Sequence, residues 1–256
     1  MHAGTRRTRT GRLWVYVRDE RGHGGSAPPA ALFRYAPDRR GERPVAHLSG
    51  FVGHVHADGY AGFNKLYGNR IAEVACMAHV RRKFFDIRAA NGSAVACEAL
   101  DRIAALYAVE DDIRGAPPER RRSERQARAG PILQALRAWL EATLPKLSRK
   151  SDLAIAVRYA LSRWQALGRC LDDGRLEIDN NAAERALRGV ALDRKNWLFA
   201  GSDKGGERAA AIYSLIETAK LNGVDPEAWL RDTINRIADH PNHRIDVLLP
   251  WNYRTA

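Results

Sequence analysis

The sequence predicts an α/β fold, in which helices flank a mixed sheet and a long segment made only of helices interrupts it. Two observations lead to this prediction. Short runs rich in β-branched and aromatic residues recur before Met77, and apolar residues then recur with helical spacing over most of the remaining chain. With 256 residues, the chain is long enough to bury a sizeable core.

The N-terminal part contains four stretches with the composition of β-strands. These are residues 13–18, 31–35, 51–57 and 71–77. A loop is predicted for residues 22–29 and a charged turn for residues 38–43. A short helix is predicted for residues 60–67, and a basic amphipathic helix from His79 to about Ala90.

Residues 93–171 carry no strand signal and show three apolar stripes with helical spacing. Two interpretations stay open for this segment: a helical insertion between two parts of one domain, or an independent helical domain. Ser202 and Asp203 offer caps for a predicted helix that runs to about Asn222. Another begins at the cap pair Asp225 and Pro226. We expect this last helix to carry four apolar side chains inward, namely Trp229, Leu230, Ile234 and Ile237.

The composition indicates a polyanionic partner in a reducing compartment. Forty-two Lys and Arg against 30 Asp and Glu give a net charge of +12. Nucleic acid is the first candidate partner, an anionic membrane surface the second, and a merely solvated basic surface the alternative. No apolar run approaches the ~20 residues that span a bilayer, and we expect no secretory signal, because no hydrophobic segment follows the Arg-rich first residues. Three scattered cysteines indicate a cytoplasmic protein rather than a disulfide framework.

Residues 179–202 combine one carboxylate with several cations. Asp179 is suited to cap a helix by accepting backbone N–H groups, and Glu184 and Arg188 lie four residues apart on one face of that helix. Arg194 and Lys195 follow directly. Such a set could hold a metal-bound phosphodiester, because the acid binds Mg²⁺ and the cations bind phosphate oxygens. The alternative is a surface helix with an ordinary ion pair.

Asp58 is a second candidate acid, because it follows a predicted strand and so lies at the edge where open α/β sheets bind ligands. The alternative is a simple Asp58-Gly59 turn. His54, His56 and Asp58 alternate along the strand, which resembles the metal motif of metallo-β-lactamase-like hydrolases. Gly59 stands where those enzymes carry a further His. A zinc-dependent hydrolase that uses these three residues is therefore a second hypothesis.

Two further clusters precede the helical segment. The cations Arg81, Arg82 and Lys83 come directly before two phenylalanines, a pattern typical of a helix with a phosphate-binding edge and an apolar face. The alternative is a solvated basic face, which is also the prediction for residues 120–122. Cys76 and His79 form half of a zinc motif, and a buried thiol beside a hydrogen-bonded histidine is the favoured interpretation.

Taken in order, several long motifs resemble insertion sequence 66 family transposases. They are HADGYAGFNKLY, CMAHVRRKFFD, IDNNAAERALR, RKNWLFAGSDKGGERAAAIYSLIETAKLNGVDPEAWL and RIDVLLPWNY, and the resemblance runs from about Gly11 to Tyr253. It implies a ribonuclease H-like domain in which Asp, Asp and Glu hold two divalent metal ions, Mg²⁺ or alternatively Mn²⁺. It also implies this division of the chain: catalytic parts 1–92 and 172–238, a helical insertion 93–171, and a tail 239–256.

The resemblance makes Asp58 the second acid and Glu184 the third, so that both are expected catalytic residues and metal ligands. It implies a DDE-type enzyme that cuts and joins DNA, acts as a homo-oligomer on DNA, and associates with the bacterial nucleoid. The expected DNA-binding cations are Arg81, Arg82, Lys83, Arg185, Arg188, Arg194 and Lys195.

One departure from the family pattern concerns the first acid. The family carries it within an Asp-Glu-Thr sequence, on a central strand upstream of residues 13–18, and this sequence has no matching residue. We therefore expect an N-terminally truncated copy that lacks one metal ligand and does not transpose DNA alone. The alternative is a non-catalytic, DNA-binding remnant of a transposase.

Overall fold

The computed structural model describes residues 8–193 and 199–253. The chain divides into two compact units. We call "terminal unit" the described part of Met1–Asp19, Ala27–Ser49 and Ala182–Ala256, and "central unit" Glu20–Ser26 with Gly50–Asn181. The boundaries of these units differ from the domain boundaries expected from the sequence. The expected boundaries stay a prediction.

Within the described residues the fold is mixed α/β and mostly helical. The strands are β1 (Arg12–Arg18), β2 (Ala30–Ala36), β3 (Gly53–Ala57) and β4 (Ile71–Ala75). The α-helices are α1 (Glu42–His47), α2 (Met77–Asn91), α3 (Ala94–Asp112), α4 (Pro118–Glu124), α5 (Gly130–Thr143), α6 (Asp152–Ser162), α7 (Trp164–Gly168), α8 (Asn181–Asp193), α9 (Asp203–Leu221) and α10 (Pro226–Ile237). A π-helical turn, Arg125–Ala129, joins α4 to α5. None of the described helices is long and apolar enough to cross a membrane.

The strands that the structure describes form two separate pairs rather than one mixed sheet. In the terminal unit β1 and β2 are antiparallel, with Val15 opposite Phe33. In the central unit β3 and β4 are parallel. Side chains of helix α9 form hydrogen bonds with backbone groups of β2 that face away from β1. The Thr218 hydroxyl accepts the N–H and donates to the carbonyl of Ala31, at 3.1 and 3.2 Å. A side-chain hydroxyl thus stands where a third strand would pair, which is why the expected single sheet does not continue here.

The terminal unit has a small core between β2 and α9. Phe33 is only 2% exposed, and its ring lies 5.8 Å from that of Tyr213. Both predicted caps are confirmed: Ser202 accepts the N–H of Gly205, and Asp225 accepts that of Glu227.

Helix α10 corrects a sequence prediction. Trp229 is buried and donates its indole N–H to the carbonyl of Leu248 at 2.9 Å. Ile234 and Ile237, which were also expected to point inward, are 62% and 49% exposed. Within the described residues, the segment after α10 covers only the face that carries Trp229.

The central unit packs six helices with β3 and β4. Its core is apolar and fully buried, with Phe84, Ile103, Leu106, Leu136 and Leu140 at most 1% exposed. The helical character of residues 93–171 is confirmed, although their status as an insertion in a ribonuclease H-like domain stays a prediction. The charged turn expected at residues 38–43 continues into the short helix α1, which the sequence prediction missed.

A buried ion network corrects the expectation for the basic run 120–122. Arg120 and Arg122 are exposed as expected, but Arg121 is 1% exposed and Arg125 is fully buried. The Arg125 guanidinium donates to both carboxylate oxygens of Glu110, at 2.7 and 2.6 Å. Helical spacing carries these two arginines to the inner face of α4 and the π-helical turn, where Arg125 pairs with Glu110 of α3 and Arg121 pairs with Glu177 and, at a longer distance, with Glu110.

Candidate active site

Asp58 lies at the C-terminal end of β3, as predicted. It is the first residue after the strand, and Gly59, at φ +83°, turns the chain away. One carboxylate oxygen accepts the N–H of Tyr60 at 2.9 Å, which fixes the side chain in an Asx turn. The side chain is exposed, and within the described residues no cation comes within ion-pair distance of it. The carboxylate is therefore oriented and keeps its negative charge available for a ligand.

The backbone carbonyls of this turn are held by two side chains of the helical region. Tyr159 of α6 donates its hydroxyl to the carbonyl of Asp58 at 2.9 Å. Arg163, which directly follows α6, donates to the carbonyl of Gly59 at 3.0 Å. Arg163 also pairs with Glu73 of β4 at 2.9 Å. Sequence reasoning missed all three of these partner side chains. The signal was faint, since Tyr159 and Arg163 are simply polar residues four apart beside an apolar stripe.

Glu184 lies in the first turn of α8, in the terminal unit. Just before this helix, the Asp179 carboxylate accepts the N–H of Asn181 at 3.1 Å, as predicted for a capping residue. Ala186 is buried in the core of the terminal unit, and Glu184 is exposed. Arg188 is exposed as well and has no ion pair within the described residues. Helix α8 thus carries an acid and a cation one turn apart.

Asp58 and Glu184 belong to different units. That they hold a common pair of metal ions stays a prediction. Arg194 and Lys195, which were expected to contact DNA, lie outside the described residues. Arg185 is exposed, as a phosphate contact would have to be.

The three cations of α2 differ in their surroundings. Arg81 is exposed, and none of the described residues forms an ion pair with it. Arg82 pairs with Asp86 one turn later at 2.9 Å, both being exposed. Lys83 lies over the ring of Tyr159, with its ammonium 4.5 Å from the ring centroid. Of these three cations, Lys83 is therefore the one that contacts Tyr159, whose hydroxyl donates to the carbonyl of Asp58.

The zinc hypothesis does not agree with the geometry of β3. His54 is exposed, whereas both ring nitrogens of His56 are buried and have no hydrogen-bond partner among the described residues. Burial, and to a smaller degree the charge of His54, lowers the pKa of His56 to about 4. Donor atoms of His54, His56 and Asp58 do not come within 4.8 Å of one another. The alternating pattern therefore gives no shared metal site for these three residues.

Cys76 is a buried thiol, as favoured from the sequence, and is 2% exposed. It immediately precedes α2, and its sulfur accepts the N–H of Asn180 at 3.2 Å. Burial raises the pKa of this thiol to about 11. The protonated sulfur therefore joins the start of α2 to the segment that leads into α8.

Comparisons with known proteins agree with the motifs. The family described as "Transposase IS66 family" matches residues 1–208, and the "IS66 C-terminal element" matches residues 214–251. The uncharacterized protein y4hP of Sinorhizobium fredii is 43% identical, over 96% of this chain and 48% of its own length. The uncharacterized protein y4qI of the same organism is 40% identical, over 98% of this chain and 48% of its own length.

A third relative, the uncharacterized protein YuaK of Escherichia coli, is 55% identical over 41 residues, which cover 16% of this chain and 44% of its own. No solved structure matches the chain. The chain spans about half the length of the two Sinorhizobium relatives. Because the family matches extend over most of the sequence, this chain belongs to the IS66 family of transposases.

Proposed function

We propose that this chain takes part in metal-dependent cleavage and joining of DNA strands, with Asp58 and Glu184 as metal ligands. Family membership supports DNA as the substrate. The observation that carries the proposal is the Asp58 carboxylate, which is exposed, held in an Asx turn and not neutralised by any described cation. Mg²⁺ takes carboxylate oxygens as ligands, and the Asp58 carboxylate is oriented and accessible for such binding.

The residues fit Mg²⁺ or Mn²⁺ in their chemistry. Carboxylate oxygens are the ligands such hard cations prefer. Asp58 uses one oxygen to accept the N–H of Tyr60, which leaves lone pairs of both oxygens for a metal. Glu184 is exposed in the first turn of α8. When bound, two divalent ions would stabilise the attacking and leaving oxygens of an in-line displacement at phosphorus.

The reaction is phosphoryl transfer, so the chain has only to position and neutralise its substrate. In the first step a water oxygen bonds to phosphorus, the bond from phosphorus to the 3′-oxygen breaks, and that oxygen takes a proton. In the second step the new 3′-hydroxyl bonds to a phosphorus of the target strand and releases the target's own 3′-oxygen. Arg188 and Arg185 beside Glu184, and Lys83 near Asp58, are suited to hold phosphate oxygens during both steps.

Metal binding by the 256-residue chain tests the proposal directly. Mn²⁺ binding is measured by titration calorimetry and electron paramagnetic resonance for wild type, Asp58→Asn and Glu184→Gln. We expect each variant to bind Mn²⁺ at least tenfold more weakly, because each loses an anionic ligand. Glu141→Gln is the matched control, since Glu141 is an exposed acid on α5 that pairs only with Arg137 within the described residues. Wild-type affinity in either Asp58→Asn or Glu184→Gln would refute the proposal.

DNA handling distinguishes a catalytic chain from a mere binder. Nicking of a supercoiled plasmid that carries the element's flanking DNA is followed with and without Mg²⁺. Catalysis predicts nicking that requires metal and falls about 10²- to 10³-fold in Asp58→Asn, whereas DNA affinity stays within a factor of about two. A DNA-binding remnant predicts salt-sensitive affinity and no nicking under any metal condition.

A further inference from the structure

The turn that carries Asp58 is held from outside its own strand pair. Its two consecutive carbonyls, those of Asp58 and Gly59, accept hydrogen bonds from Tyr159 and Arg163 at 2.9 and 3.0 Å. These partners lie 101 and 104 residues further along the chain. Both belong to the helical part of the central unit, so that part fixes the backbone from which the Asp58 carboxylate projects.

Arg163 also fixes the turn relative to the strands. Its second terminal nitrogen lies 2.9 Å from the Glu73 carboxylate, and both side chains are only about one-fifth exposed. Glu73 lies on β4 opposite Val55 of β3 in the parallel pair. One planar guanidinium therefore joins β4 to the turn that follows β3. Such a two-sided, charge-assisted contact orients its partners more strictly than a single hydrogen bond does.

Tyr159 is kept in place by the cations around its ring. The Lys83 ammonium lies 4.5 Å and the Arg163 guanidinium 5.2 Å from the ring centroid. Cation–π attraction favours this placement of the ring. Burial raises the pKa of the Tyr159 hydroxyl, which therefore stays protonated and remains a donor to Asp58.

The Arg163 guanidinium packs closely against Gly59. Its φ of +83° is a left-handed conformation that favours glycine. A Cβ added there would lie 2.7 to 2.9 Å from three atoms of the Arg163 guanidinium. The guanidinium thus packs directly on the turn backbone, and a shift of one requires a shift of the other.

We propose that Tyr159 and Arg163 are positioning residues that hold the Asp58 carboxylate in its metal-binding geometry. This inference rests on the proposed function, since it assigns Asp58 as a metal ligand. It gives the helical region a defined role in the reaction: to supply the outer contacts that orient this ligand. Outer contacts of this kind commonly change metal affinity 10- to 100-fold when they are removed.

Two conservative variants of the 256-residue chain test the inference. Tyr159→Phe keeps the ring and removes only the hydroxyl, and Arg163→Lys keeps the charge but loses the planar fork. Tyr16→Phe, whose hydroxyl bonds to His47 in the terminal unit, and Arg137→Lys, on the exposed surface of α5, are the matched controls. Amide hydrogen exchange at Tyr60 reports the turn without metal, and Mn²⁺ titration reports the ligand.

We expect the Tyr60 amide to exchange about 2- to 12-fold faster in Tyr159→Phe, the range for loss of one neutral hydrogen bond. We expect a larger increase in Arg163→Lys, and Mn²⁺ binding about 10- to 100-fold weaker in both. Neither control should change either readout. Unchanged Tyr60 exchange, or unchanged Mn²⁺ affinity in both variants, would overturn the positioning role.

The Asp58→Asn variant separates failure of this inference from failure of the proposed function. If Asp58→Asn binds Mn²⁺ like wild type, the proposed function is wrong and the positioning role falls with it. If Mn²⁺ binding depends on Asp58 but is insensitive to both Tyr159→Phe and Arg163→Lys, the positioning role alone is wrong.

Discussion

Arg125→Met is expected to destabilise the central unit by about 3–5 kcal/mol, because it leaves a buried carboxylate without its partner. The Arg125 side chain is 0% and that of Glu110 6% exposed. The substitution removes two hydrogen bonds to Glu110, at 2.7 and 2.6 Å, and one to the carbonyl of Cys170 at 3.0 Å. Arg121 compensates only in part, because its own contact with Glu110 is longer, at 3.5 Å, and its other terminal nitrogen is bonded to Glu177 at 2.8 Å.

Replacing both partners should recover most of this loss. In Arg125→Met/Glu110→Leu no charge of this pair remains buried, and apolar substitutes for buried ion pairs are often neutral or stabilising. Two residual costs remain. The carbonyl of Cys170 loses its donor, which accounts for about 1–3 kcal/mol, and buried Arg121 loses Glu110 while it keeps its ion pair with Glu177. The single and double variants therefore separate the cost of an unpaired charge from the loss of packing.

Thiol labelling of Cys170 measures this opening in the folded chain. The residue is 2% exposed, and burial raises the pKa of its thiol to about 11, so it reacts only when the region opens. Because each 1.4 kcal/mol is a factor of ten, Arg125→Met should label roughly 10²- to 10³-fold faster or more. Arg137→Met, at an exposed pair with Glu141, should stay close to wild type. A rise of less than tenfold in Arg125→Met, or a double variant that labels as fast as the single one, would refute this reasoning.

Three further predictions follow from individual contacts. Folded His56 has a pKa of about 4, whereas an unfolded histidine has one near 6.5. The stability that neutral His56 contributes is therefore complete above pH ~6.5 and falls by up to about 3 kcal/mol as the pH drops towards 4. His56→Leu should remove this fall in urea midpoints measured at pH 7 and 4.5, and a variant that loses as much stability as wild type would contradict the prediction. Gly59→Ala should cost about 1–3 kcal/mol and weaken Mn²⁺ binding, because of its φ of +83° and its contact with Arg163; Gly68→Ala, which has open space, is the control. Thr218→Val should lower the free energy of unfolding of the terminal unit by about 1–3 kcal/mol, since two buried backbone groups of β2 lose their partner; urea unfolding checks this, and a loss below about 0.5 kcal/mol would show that the hydroxyl is dispensable.

Local signals sufficed for most of the secondary structure, although they missed the short helix α1, and they singled out the candidate acids. Clusters of β-branched and aromatic residues between turn residues placed all four described strands to within a few positions. The caps at Ser202 and Asp225 were predicted because a side-chain oxygen and the N–H it accepts lie within a few residues of each other. Asp58 was singled out because the position after a strand is defined by the sequence alone.

Burial on a helix was predicted less well. Hydrophobic spacing assigned Ile234 to the interior, yet it is 62% exposed, whereas the charge of Arg121 suggested the surface and it is 1% exposed. Spacing specifies which residues share a face. It does not specify whether another element covers that face, or whether a buried carboxylate lies there to form an ion pair with an arginine.

The sequence by itself determined most of the elements and the family, and it nominated the two acids, because each of these depends on residues that are near neighbours or on motifs matched in order. Only the tertiary structure decided that Thr218 serves the edge of β2, that Glu110 neutralises Arg125, and that Tyr159 and Arg163 hold the turn at Asp58. These partners lie 187, 15, 101 and 104 positions apart along the chain. The physical reason is that a hydrogen bond or an ion pair requires proximity and orientation, and chain folding alone brings such distant groups together.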